Sequence, residues 1–219
     1  MDRTKASRLA ALIAIGAVLT FFWHSPFVWP LKILVVLFHE LGHATAAWIT
    51  GGEVVEIGLS PNQGGVTRTL GGWRFFILNA GYLGSIVAGA SLLFLGRSPR
   101  FAKWGLWGLV AVLGLSTFWL VRPLVSFGFG FALLATLGLA VVAKMANADR
   151  SQMVLRGLGI FSLLYAVWDI RDDVFADRPG LVSDATMLAE LTWVPGPVWG
   201  VIWLIIGLGT LFALRKWLV

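Results

Sequence analysis

The sequence predicts an all-α polytopic membrane protein of about seven transmembrane helices, with one small re-entrant β-hairpin. Three observations carry this. First, of 219 residues 58% are hydrophobic and 13% charged, against roughly 45–50% and about 25% in soluble domains. Second, the mean hydropathy of +0.84 reflects repeated apolar runs near the length of about 20 residues that a spanning helix needs. Third, 12 Trp and 26 Gly suit a bundle with aromatic residues at its interfaces and close helix crossings.

The same numbers exclude other classes. A soluble globule of this size cannot hide so much apolar surface, which removes an ordinary cytosolic enzyme and a disordered chain. The net charge of +6 does not point to nucleic acid, because Lys and Arg stand singly at the ends of apolar runs and form no basic stripe. With no Cys, disulfides, thiolate metal sites and a Cys nucleophile are absent. Any metal must be held by His and carboxylate, and the chain has three His, four Glu and seven Asp.

The elements follow in order. Residues 9–23, behind Arg3, Lys5 and Arg8, form a first span; no small-residue cleavage site follows, so it reads as retained and not as a signal peptide. Pro30 suits the first turn of a second helix, running to about Thr50 and containing His39-Glu40-Leu41-Gly42-His43. Residues 51–72 are Gly-rich, with short β-like stretches on either side of Pro61-Asn62-Gln63-Gly64-Gly65; they read as a hairpin whose tip is a simple turn. Further spans are expected at 73–95, 104–120, 124–143, 154–170 and 197–214, separated by Arg97-Ser98-Pro99-Arg100, Arg122-Pro123, a polar stretch at 147–152 and a polar segment at 174–192. No soluble domain or internal repeat is evident, so residues 1–219 read as one integral membrane domain. The hairpin, Arg122 and the 171–192 segment fall on one side with the N-terminus. Lys and Arg divide almost evenly between the sides, so the charge rule sets no orientation.

The chemistry concentrates in the second helix. His39 and His43, four residues apart, lie one turn apart on one helical face and can converge on a single ion. Glu40 is displaced around the helix, where it reaches a metal-held water without being a ligand. This is the H-E-x-x-H arrangement of a hydrolytic zinc site with Glu as general base. The alternative is a set of buried polar residues joining helices, but three ionisable groups within five residues of a span are expensive without a shared task. Gly42 allows a second backbone to approach closely.

A catalytic zinc takes three protein ligands. The remaining His, His24, sits at the opposite membrane edge. Asp169 in the sixth span has a depth matching the His pair within a turn or two at 1.5 Å per residue, and is the expected third ligand; Asp184 and Asp173 are the alternatives. Asp172 and Asp177 read as a solvated helix end.

At this point the pattern resembles the site-2 protease family of intramembrane zinc metalloproteases, in its small multi-span branch without a PDZ domain. The resemblance covers about residues 31–205. It is anchored on Phe38-His39-Glu40-Leu41-Gly42-His43-Ala44, the Gly51-Gly52 break and Ala80-Gly81-Tyr82-Leu83-Gly84-Ser85. In the last run Tyr82 and Ser85 stand where the family carries Pro and Asn. The family's Leu-Asp-Gly run and its preceding Asn-x-x-Pro are not present; Trp168-Asp169-Ile170 and Ser183-Asp184-Ala185 are the candidates in their place.

The resemblance implies zinc-dependent cleavage of a transmembrane segment of a membrane-protein substrate, with Zn2+ as cofactor, Glu40 catalytic, and a site opening to the cytosol. It also implies a multi-pass protein of the cell membrane, with the lipid bilayer and its substrate as partners and no nucleic acid. The alternative is a catalytically inactive metal-binding membrane module that regulates a partner protein.

Overall fold

The computed structural model describes residues 21–22, 25–175 and 183–215, and of 172–175 the backbone alone. These residues form α1 (Trp29–Ile49), β1 (Glu53–Leu59), β2 (Gly65–Leu70), α2 (Arg74–Leu95), α3 (Pro99–Trp119), α4 (Phe127–Met145), α5 (Ala148–Phe175), α6 (Asp184–Thr192) and α7 (Gly196–Leu214). Apart from Phe21 and Phe22, the expected first span at 9–23 lies outside the described residues, as do His24 and Asp177. Among the described residues five helices are long and apolar enough to cross a membrane: α2, α3, α4, α5 as far as Arg171, and α7. The helix with the H-E-x-x-H run, α1, is not among them. It carries Lys32, His39, Glu40 and His43.

Several boundaries differ from expectation for local reasons. Pro99 occupies the first turn of α3, where its missing N–H costs nothing, so the helix starts five residues before the expected 104. The start of α4 moves to Phe127, capped by Ser126, whose side chain accepts from the Phe129 N–H. The chain before it is committed elsewhere: Val121 bridges to Ile57 of β1. The sixth span was expected to stop near 170; α5 runs 28 residues, to Phe175, or about 42 Å, which exceeds the roughly 30 Å apolar layer. Its polar end can therefore stay helical beyond the lipid.

The expected polar segment at 174–192 contains a further helix, α6. Its start is fixed by a capping box. The Ser183 hydroxyl accepts from the Thr186 N–H at 3.3 Å, and the Ser183 N–H donates to Thr186 Oγ1 at 2.9 Å, satisfying donors that a helix N-terminus otherwise leaves open. Trp193 ends it in the left-handed conformation, at φ 63°, and Pro195 precedes α7.

The core sits around α1, α2 and α5; α2 and α5 are each about half buried along their spanning windows, against 17% for α4 and α7. Leu115, Leu134, Ile205 and Phe212 on the outer helices are all more than 60% exposed, as a lipid-facing surface allows. Small residues set the crossings. A Cβ on Gly42 would run into the Ala80 carbonyl, and one on Gly84 would come within 2.7 Å of Gly42 Cα, which fixes α1 against α2. Gly89 and Gly159 do the same between α2 and α5, where the Ser162 hydroxyl also donates to the Ser85 carbonyl at 2.9 Å.

The hairpin is the expected antiparallel pair, with Glu53 opposite Leu70 and Leu59 opposite Gly65. It leaves the C-terminal end of α1 and returns alongside that helix, until Trp29 Nε1, at the other end, donates to the Pro61 carbonyl at 2.8 Å. The outer edge of β1 is engaged by the chain after α3. The Ile57 N–H donates to the Leu120 carbonyl at 2.8 Å, and the Arg122 N–H to the Ile57 carbonyl at 3.0 Å. Among the described residues no strand pairs with the outer edge of β2.

Candidate metal centre

The spacing of His39 and His43 does what helical periodicity requires: their ring centroids are 4.7 Å apart with planes at 76°. The rings occupy space that α2 vacates, because a Cβ on Gly81 would collide with both imidazoles. The helix crossing at Gly42 and Gly84 therefore brings the α2 backbone onto the histidine face. His43 is oriented by α2 directly, its Nδ1–H donating to the Ile77 carbonyl at 2.6 Å. That bond assigns the proton to Nδ1 and leaves Nε2 to face the centre. The His39 ring meets Tyr82 edge-on, centroids 4.8 Å apart. Tyr82 in turn packs on Trp203 at 4.6 Å, and Trp203 Nε1 donates to Asn79 Oδ1 at 3.0 Å.

A carboxylate completes the convergence. Asp184 Oδ2 lies 3.1 Å from His39 Nε2 and 3.3 Å from His43 Nε2. It is the first residue of α6, held in place by the capping box and by Ala185 and Leu188, which pack with Leu78, Tyr82, Ile170 and Trp203. Ligands 2.0–2.1 Å from a tetrahedral zinc stand about 3.3 Å apart. The three atoms thus have the chemistry and spacing of a metal's protein ligands, and the His43–Ile77 bond supplies the usual outer-shell anchor.

Glu40 borders the same space, with a carboxylate oxygen within 4.8 Å of the two His nitrogens. It is 3% exposed. Thr67 of β2 donates to Glu40 Oε2 at 2.7 Å. An apolar cavity of about 1290 Å³ is lined by Leu41, Gly42, Ala80 and Gly84, among others, but by none of His39, Glu40, His43 or Asp184.

The family model for peptidase M50B-like proteins matches residues 12–214. The chain belongs to the peptidase M50B-like family. Neither the curated proteins nor the solved structures gave a match. With five helices able to cross a bilayer, this M50B-like chain is an integral membrane protein that carries a His-Glu-x-x-His group able to hold a metal.

Of the candidate third carboxylates, the geometry brings an alternative, not the first choice, to the histidines. The sequence favours Asp169, but the carboxylate that the structure brings between the imidazoles is Asp184. Asp169 is half-buried on α5, which packs chiefly along α2. The next helix, α6, returns to lie against α2 and α7. A depth argument between two long helices cannot see that return. The side chain of Asp173 lies outside the described residues. Thr67 was missed altogether. The available signal was the two-residue alternation of β2, which puts Gly65 and Thr67 on one face.

Proposed function

We propose that the protein is an intramembrane zinc metalloprotease of the cell membrane that hydrolyses peptide bonds in or near transmembrane segments of membrane-protein substrates. The observation that carries this reading is the convergence of His39 Nε2, His43 Nε2 and Asp184 Oδ2 beside the buried Glu40 carboxylate. His39, His43 and Asp184 would hold the ion; once bound, zinc polarises the scissile carbonyl and lowers the pKa of the attacking water toward about 7.

The remaining work falls to the chain. Glu40 takes a proton from the water as its oxygen adds to the carbonyl carbon. It gives that proton to the leaving nitrogen as the C–N bond breaks. A helical substrate hides its peptide groups in its own hydrogen bonds, so the segment to be cut must first unwind. The outer edge of β2, which has no strand partner among the described residues, lies on the strand that reaches Glu40 and offers backbone partners to the extended stretch by strand addition. The outer edge of β1 is engaged at Ile57 by Leu120 and Arg122, so β2 is the edge the reading assigns.

The test is purified protein with a panel of single-span substrates in detergent or liposomes. Glu40→Gln should retain zinc and lose hydrolysis by at least about 100-fold. Parent protein that cleaves no substrate, or a Glu40→Gln variant as active as the parent, refutes the proteolytic reading. In the former case the non-enzymatic regulatory module becomes the better account.

A further inference from the structure

We infer that Thr67, on β2, is a positioning residue that holds the Glu40 carboxylate toward the reacting water, with Gly65 shaping the space the carboxylate occupies. The inference rests on the reading of Glu40 as general base. Thr67 Oγ1 lies 2.7 Å from Glu40 Oε2 and 3.0 Å from the Glu40 backbone carbonyl. A threonine hydroxyl has one proton to donate, and a charge-assisted bond to a carboxylate is the stronger of the two choices. Among the described residues Thr67 is the one hydrogen-bond partner of the Glu40 side chain.

Gly65 is an independent observation on the same strand face. A Cβ there would overlap Glu40 Oε1 and lie within 2.8 Å of Cγ and Cδ. The side chain is therefore gripped by a hydroxyl at one oxygen and walled by a bare backbone at the other. A freely rotating Glu would spend much of its time out of reach of the water, and misplacement by an ångström is costly for a proton transfer. The hairpin thus does more than present an edge to substrate. It ties the orientation of the base to the strand from which that edge is built.

The experiment compares parent, Thr67→Val, Thr67→Ser, Gly65→Ala and Glu40→Gln in the same cleavage assay, with zinc content measured for each. Thr67→Val should lower kcat by about tenfold or more, leave KM within about twofold and keep the parent's zinc. Thr67→Ser, which retains the hydroxyl, should restore most of kcat. Gly65→Ala should likewise lose kcat at full zinc. Since Gly65 has no left-handed backbone, that loss would report crowding of Glu40.

A second measurement does not depend on turnover. Thermal unfolding of Thr67→Val, Glu40→Ala and the double variant forms a cycle. Thr67→Val should lower Tm by about 2–4 °C when Glu40 is present and by clearly less in the Glu40→Ala background, where the hydroxyl keeps only the backbone carbonyl of residue 40 to donate to. If the parent proves inactive, the proteolytic reading falls while this cycle still decides the contact. Full kcat in Thr67→Val where Glu40→Gln is dead, or equal Tm shifts in both backgrounds, would overturn the inference.

Discussion

Asp184→Asn is the sharpest probe of the centre. The amide keeps the shape of the carboxylate and removes its charge. It leaves the start of α6 intact, because the capping box uses Ser183 and Thr186. On the proposed reading, what is lost is the one anionic ligand of three, the atom 3.1 Å from His39 Nε2 and 3.3 Å from His43 Nε2. Removing outer-shell partners typically costs 10–100-fold in metal affinity. A direct ligand should exceed that range, so zinc affinity should fall by more than about 100-fold, roughly 2.7 kcal/mol at 1.36 kcal/mol per decade. Zinc competition against a chelator of known affinity, on protein purified in detergent, measures it. Asp169→Asn in the same assay should change affinity by less than about tenfold, below the outer-shell range. The opposite pattern, with Asp169→Asn stripped of zinc and Asp184→Asn loaded, would refute the assignment and return the third ligand to α5.

Parent protein should carry about one zinc per chain, and His39→Ala or His43→Ala should each carry none by elemental analysis. Gly81→Ala forces a methyl group into both imidazoles. It should lose zinc and be destabilised by about 1–3 kcal/mol, read as a lowered Tm. Ser183→Ala removes the side-chain half of the α6 cap. It should cost about 1 kcal/mol and weaken zinc binding by less than Asp184→Asn does; equal zinc affinity to the parent would show that the cap does not help to place Asp184.

What the sequence made legible follows the range over which its signals act. The His pair needed only the 3.6-residue period of one helix, and the hairpin only a glycine-rich turn between two short alternating runs. Both are local, and both stand in the structure within a residue or two. Gly42 was legible as a close-approach glycine for the same reason, since a small residue in a span has few other uses; that the approaching backbone is Ala80 and Gly84 required the fold. The third carboxylate was a problem of another kind. Asp169 sits on a long apolar helix whose depth can be counted, while Asp184 sits in a segment whose composition reads as a loop. Ser183 and Thr186, with Ala185 and Leu188 on one face, were the signal for a short helix there, and a nine-residue helix gives too few turns for its apolar period to stand out from the polar residues around it.

The same limit explains Thr67 and points to how the site is assembled. Three contributions meet at Glu40 and the histidines, and each comes from an element that returns toward α1: β2 by the hairpin turn at 60–64, α2 by its glycine crossing, and α6 by its packing on α2. Apart from Gly42 at the α2 crossing, these returns are encoded away from His39 in the sequence, yet each supplies a contact that the H-E-x-x-H run cannot make for itself. The Ile77 carbonyl turns His43, Asp184 joins the two imidazoles, and Thr67 donates to the Glu40 carboxylate. A polar cluster inside a largely apolar bundle is tolerated only when its members satisfy one another. The arrangement therefore predicts that the centre forms as a unit, and that damage to any one returning element should be felt at the other two.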